Sequence, residues 1–537
     1  MENQGNQETA VSARAGRREW VGLGVLALAC LLYAMDLTVL HLAVPRLSAD
    51  LRPSSAQLLW IIDIYGFLVA GSLITMGTLG DRIGRRRLLM IGAGAFGLAS
   101  LLAAFSTTAT MLIVSRAIMG VAGATLAPST LSLIFNMFTD PKQRSRAVGI
   151  WIASFSAGGA IGPVAGGLLL EYFWWGSVFL LALPVMAVLL LLGPRVLPEF
   201  RDPQAGRLDL RSAGLSLAAI LAVIYGLKQI AQDGLGLVPA LSILAGLALA
   251  VVFLRRQTRL ADPMIDLRLF RIRVFSASLT TYMLSIFVAF GYFLFVAQYL
   301  QLVLGLSPLQ AGLWSLPSGA GFIVGSVLAP MVIHRFRPAV VMAAGLTVAA
   351  VGLLGLTQVG GSTSLTFIVL SSGAIALALA PVVTLATELA VGSAPPERAG
   401  AASGISETSA ELGGALGIAI LGSIGTAIYR SEMAEALPAG IPAGAAETAR
   451  DTLGGAVAVA GQLPDRLGEA LTDAAHAAFT TGLRLTAALS ALIAAAVAVL
   501  AARMLRGIRG RSEPVEAAEV ATDAVPDGAV AQPAEER

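Results

Sequence analysis

Charge is scarce in this sequence: Asp, Glu, Lys and Arg make up 13% of 537 residues, against 56% apolar residues. Soluble domains carry about 25% charged residues, so this chain lacks the polar shell that water as main solvent requires. Lysine is almost missing, with only Lys142 and Lys228; arginine carries the remaining positive charge. The single cysteine, Cys30, sits in an apolar run, which excludes a disulfide framework and a thiolate metal cluster. His41, His334 and His476 are far apart and lack ligand spacing, so no metal is expected. A net charge of +3 comes with no basic stripe interleaved with aromatics, which argues against a nucleic-acid partner. No Walker lysine pattern is present, which argues against a nucleotide-driven pump, and no cofactor is expected. Gly92-Ala-Gly94-Ala-Phe-Gly97 spells GxGxxG, yet it follows no strand and lies inside an apolar run, so it reads as helix packing.

What the chain does have is apolar runs of about 20 residues, the length that crosses a hydrocarbon core of roughly 30 Å. Fourteen are legible: 20–44, 57–79, 88–106, 111–135, 147–170, 177–197, 212–231, 238–256, 274–300, 309–333, 338–358, 364–390, 399–429 and 479–505. Lipid leaves no water for unpaired backbone groups, so each run is expected to be a helix. The first run is too long for a signal-peptide core and is expected to stay. Arginines crowd alternate loops, as at Arg82, Arg85, Arg86 and Arg87 or Arg255, Arg256 and Arg259. The other loops hold only Arg46, Arg52, Arg430, Arg450 and Arg466, with Lys228 near a boundary. The positive-inside rule therefore expects both termini in the cytoplasm. The 430–478 segment is a long external loop with stretches near 443–460 and 465–478 able to form short helices or a hairpin, either a lid or a passive connector.

Several motifs lie in and between these runs. The loop after the second run reads Gly77-Thr-Leu-Gly80-Asp81-Arg82-Ile-Gly84-Arg85-Arg86-Arg87. An acid at a helix end, a glycine turn and clustered arginines suit a conformational latch, in which Asp81 pairs with the arginines and with the start of a neighbouring helix and holds two bundles together in one state. Arg116 lies within the fourth run; a charge there is costly and calls for an acid partner, or else for snorkelling to the nearby interface. The fifth run carries Gly149, Gly158, Gly162-Pro163 and Gly166-Gly167, a small-residue face for close helix approach. The latch motif, Arg116 and the glycine pattern together resemble the major facilitator superfamily. With fourteen runs, the chain resembles its fourteen-helix drug:proton antiporters, the QacA-like exporters of quaternary ammonium compounds. Asp36-Leu-Thr38-Val39, Trp60-Ile-Ile-Asp63-Ile-Tyr65 and Ser406-Glu407-Thr-Ser-Ala-Glu411 add to the likeness. Family members often carry Arg or His where Gly176 stands.

The resemblance implies an all-α polytopic membrane protein with the 6+2+6 major facilitator fold. It divides the chain into an N-terminal tail (1–19), a six-helix bundle (20–197), two inserted helices with their loops (198–273), a second six-helix bundle (274–505) and a disordered tail (506–537). It also gives cation and proton binding to Asp36, Asp63, Glu407 and Glu411, and links Arg116 to proton transfer. The residues support this independently. Glu407 and Glu411 stand at i and i+4 on one helix face, and a carboxylate in a low-dielectric site holds either a proton or a cation. Trp60, Tyr65 and Tyr292, with Phe290 and Phe295, are candidate cation–π contacts. Arg484 is expected to snorkel outward. The expected function is proton-coupled export of lipophilic cationic drugs from a bacterial cytoplasmic membrane by alternating access, with the lipid bilayer, protons and small cations as partners. Two alternatives stand beside it: export of one antibiotic or metabolite, and a non-transporting sensor or scaffold. An enzyme is not expected, because no nucleophile–base pair or metal constellation is present.

Overall fold

The computed structural model describes residues 15–201, 209–260, 263–360, 364–394 and 399–506. The outer parts of both tails (1–14 and 507–537), Arg207 and Arg398 lie outside the described residues. Fourteen helical spans are long and apolar enough to cross a membrane: α1 (Arg17–Leu51), α2 (Ser55–Ile83), α3 (Arg85–Ala104), α4 (Ala109–Met137), α5 (Arg146–Tyr172), α6 (Ser177–Val196), α7 (Leu210–Asp233), α8 (Leu237–Gln257), α9 (Arg273–Val303), α10 (Pro308–Ala329), α11 (Pro338–Leu356), α12 (Ser364–Gly392), α13 (Ala402–Ala436) and α14 (Asp465–Met504). No strand occurs among the described residues.

Local chemistry sets the helix ends. Ser54 caps α2 and Ser307 caps α10 in reciprocal boxes with Gln57 and Gln310. Thr108 and Asp209 cap α4 and α7 through Met111 N–H and Ser212 N–H. Gly84 turns the chain between α2 and α3 at φ 113°, a backbone conformation that a side chain disfavours. Two spans are interrupted: α4 breaks at Ala124–Thr125 and α10 at Ser315. The last turn of α9, Tyr299–Val303, is a π-helix.

In the first half α1 packs on α5, α2 on α4, and α3 on α4 and α6. In the second half α9 packs on α13, α12 and α14, while α11 and α10 lie against α12. The halves meet along two seams, α2 with α13 and α5 with α10. The inserted helices pack chiefly on each other, joined at one end by Arg256 on Asp209 at 2.9 Å and Gln257 on Ser212 at 2.7 Å. α8 turns Leu237, Leu241, Leu244, Leu247, Val251 and Leu254 outward, an apolar stripe at helical period that suits lipid. α7 differs, because it also lies against both α2 and α13 and covers their seam.

The expected 430–478 loop holds two short helices, Ala443–Asp451 and Leu453–Ala460, but 465–478 forms no separate helix; it is the first part of α14. The segment packs onto the end of α1, with Gly454 against Ser48. Arg430 pairs with Asp451, and the Tyr429 hydroxyl donates to the Ala449 carbonyl at 2.8 Å. Burial holds the Asp451 carboxyl above its ordinary pKa, with Arg430 pulling the other way. Gly92 and Gly97 of the GxGxxG run lie within α3, and a methyl group at Gly92 would collide with Thr125. Arg484 is exposed and reaches the chain end of α11, where its Nε donates to the Val359 carbonyl at 2.8 Å and ties α14 to the loop after α11.

Candidate functional site

Between the halves lies a cavity of about 190 Å³. Three helices line it through one face each. α1 contributes Tyr33, Leu37, Leu40 and His41; α9 contributes Tyr282, Ile286 and Phe290; α13 contributes Glu407, Ala410, Glu411 and Gly414. These spacings of three and four residues are one side of a helix turning 3.6 residues per turn. α2 adds Asp63, Tyr65 and Gly66, and α4 adds Arg116.

Of the four acids singled out in the sequence, Asp63, Glu407 and Glu411 line this cavity. Asp36 is not among the lining residues but is paired with one of them, the Arg116 guanidinium, at 2.7 Å. Arg116 is therefore a buried partner of an acid, not a snorkelling side chain: it is 2% exposed, donates to the Ile61 carbonyl at 3.3 Å and lies 4.6 Å from the Tyr65 ring centre. Glu411 accepts a 2.5 Å hydrogen bond from the Tyr33 hydroxyl. Neither Glu407 nor Glu411 has an ion-pair partner among the described residues. A cavity in which two carboxylates lack a cation attracts positive charge.

Two participants escaped the sequence reading. Lys228, read as a boundary residue, is buried in α7, and its Nζ donates to Asp63 Oδ1 at 2.7 Å. The ammonium also stands 3.7 Å from the centre of the Trp60 ring. A lone buried acid in α2 was the available signal, since it demands a cation from elsewhere; the partner's distance of 165 residues hid it. His41 lines the cavity edge-on to Phe293, with ring centres 5.3 Å apart. His41 Nδ1, Asp63 Oδ2 and the Tyr65 hydroxyl have no hydrogen-bond partner among the described residues.

The aromatic expectations divide. Tyr65 and Phe290 face the cavity; Trp60 is taken by Lys228, and Tyr292 and Phe295 are buried elsewhere because they fall off the cavity face of α9. The latch residues do not bridge the halves. Asp81 pairs with Arg85 at 2.6 Å within one helical turn's reach, and Arg86 N–H donates to Glu199 after α6 at 3.1 Å. Gly84 packs on Glu199, and Gly77 lies near Pro128 of α4, while Arg82 is exposed, so the motif ties together helices of the first half only. The fifth-span glycines do make close approaches. Methyl groups at Gly158 and Gly162 would strike the Leu31 carbonyl and Thr38 Oγ1 of α1; one at Gly166 would lie 2.8 Å from Val39, and one at Gly167 2.5 Å from the Pro308 carbonyl of α10. Pro163 meets Gly312 across the same seam, whereas Gly149 faces open space. Gly176 is pressed on the Ala104 carbonyl, so any side chain at this position would require the backbone there to move.

Two six-helix halves and two further helices, fourteen spans among the described residues, around a cavity lined by carboxylates define a multi-pass membrane transporter rather than an enzyme. The Major Facilitator Superfamily model matches residues 26–418, and the chain belongs to that superfamily. It is 43% identical to the "Multidrug efflux pump LfrA" of Mycolicibacterium smegmatis, over 92% of this chain and 97% of that one. It is 38% identical to the "Methyl viologen resistance protein SmvA" of Salmonella typhimurium, over 86% and 93% of the two chains. It is 34% identical to the "Tetracenomycin C resistance and export protein" of Streptomyces glaucescens, over 93% and 94%. Among solved structures, the fold resembles an inward-facing, unoccupied bacterial homologue of the human lysosomal transporter Spinster, with a TM-score of 0.65 at 19% identity over 92% and 98% of the chains. The protein is thus a multi-pass bacterial membrane protein whose relatives are drug and antibiotic efflux proteins.

Proposed function

We propose that the protein exports lipophilic organic cations in exchange for protons. The observation that carries this reading is the pair Glu407 and Glu411, which line the cavity beside Tyr65, Tyr282 and Phe290 with no cationic partner among the described residues. A flat cation gains Coulomb attraction from the carboxylates and about 0.5–2 kcal/mol from each well-placed aromatic face. A proton on either glutamate removes part of that attraction, so proton and cargo compete. Competition at one site, combined with alternate opening of the two halves, is antiport. Efflux by the relatives named above, one of which confers resistance to methyl viologen, an organic dication, supports the direction and the cargo class.

In energised inside-out membrane vesicles carrying the protein, ethidium is expected to dissipate the pH gradient. Glu407→Gln/Glu411→Gln is expected to abolish that response at equal protein level. An undiminished response in the double variant would remove these carboxylates from the exchange. Running neutral and acidic drugs beside the cations separates a cation exporter from one dedicated to a single antibiotic.

A further inference from the structure

Lys228 is a buried cation on a helix outside the two bundles, yet it reaches an acid of the central cavity. Its side chain is 1% exposed and that of Asp63 0%, with Nζ and Oδ1 2.7 Å apart. α7 is held there by a small apolar cluster, in which Ile224 packs with Phe67 of α2 and Ala415 and Ala419 of α13. The ammonium is bound by a carboxylate on one side and an indole face on the other, 3.7 Å from the ring centre. Those are the groups that would hold an organic cation. Asp63 divides its two oxygens: Oδ1 takes Lys228, and Oδ2 has no partner among the described residues while the residue lines the cavity.

Charge can be counted around this site. Arg116 compensates Asp36 and Lys228 compensates Asp63. Glu407 and Glu411 remain, so the cavity offers two uncompensated carboxylates where it would otherwise offer three. We propose that Lys228 is a tethered counter-cation that sets the charge of the cargo, withholding Asp63 and thereby favouring singly over doubly charged organic cations. This inference rests on the exporter reading above. It gives α7 a role at the binding site, beyond joining the two halves.

Ethidium and propidium test it. They share one ring system, and propidium carries a second, permanent positive charge. The readout is the ratio of initial propidium to ethidium efflux rates, at matched protein level in the membrane. Lys228→Gln adds an uncompensated carboxylate and is expected to raise the ratio about tenfold, a modest part of a Coulomb term between unit charges in a poorly screened site. Asp63→Asn leaves Lys228 as an uncompensated cation and is expected to lower the ratio. Lys228→Gln/Asp63→Asn restores the charge count and is expected to return the ratio to within about twofold of wild type. Either single variant strands a buried charge and risks failing to assemble. Whichever of the two assembles, its shift of the ratio and the reversal of that shift in the double variant, which has no stranded charge, carry the test. A ratio that stays at the wild-type value in every single variant that assembles, with ethidium efflux intact, overturns the role of Lys228 and leaves the exporter reading standing. Absence of efflux of either cation by the wild-type protein overturns the exporter reading itself.

Discussion

Ionisable side chains in an apolar bundle need partners, and the partners found here are the residues on which the account turns. Arg116 is 2% exposed and has one acid, Asp36, at 2.7 Å. Removing one member of a buried pair strands the other and costs about 3–5 kcal/mol, whereas replacing both by apolar or neutral groups is often close to neutral. Asp36→Asn is therefore expected to lower the thermal unfolding midpoint in detergent and to abolish ethidium efflux. Asp36→Asn/Arg116→Met is expected to recover most of the stability but none of the transport. Thermal unfolding of the purified variants, paired with ethidium efflux, reads both effects. Transport restored together with stability would make the pair purely structural. At this scale the sequence was informative about single residues and silent about pairs. Asp36, Asp63, Arg116, Glu407 and Glu411 stand out in a chain this apolar, because solvation makes each one costly. That Arg116 belongs to Asp36, and Lys228 to Asp63, depends on helix packing across 80 and 165 residues, which no local pattern records.

At the scale of elements, α5 shows how spacing becomes packing. Gly158 and Gly162 bring its backbone against α1, and Gly167 brings it against the start of α10, so a single helix face joins a neighbour in its own half to the opposite half. Gly149 belongs to the same sequence pattern but faces open space. Gly162→Leu is expected to reduce the folded yield severalfold, because the added side chain would displace Thr38 and the α1 backbone at Met35. Gly149→Leu is expected to leave the yield near wild type. Size-exclusion profiles of fluorescent fusions distinguish the two, and equal losses at both positions would contradict the packing described. The spans themselves were readable because run length and backbone satisfaction in lipid leave few alternatives. Their interruptions at Ala124–Thr125 and Ser315 were not, nor was the fusion of 465–478 into α14, because hydropathy carries no record of where a helix bends or continues. The arginine-rich loop after α2 illustrates the other limit: its motif was evident, but its partner Glu199 follows directly on α6, a helix of the same half.

For the molecule as a whole, the two halves touch along α2–α13 and α5–α10, with the acids between them and α7 across one seam. An exchange site so placed can be coupled to a gradient with no bound cofactor. Each proton supplies about 1.4 kcal/mol per pH unit, and each net charge moved supplies about 2.3 kcal/mol per 100 mV. The most direct measurement uses the purified protein in liposomes that enclose a pH-sensitive dye, with ethidium added outside and no ATP present. Competition between proton and cation at Glu407 and Glu411 predicts that ethidium entry drives protons out, so the lumen turns alkaline, and that the signal vanishes in Glu407→Gln/Glu411→Gln. Ethidium accumulation with no change of luminal pH, or with acidification, would contradict the exchange.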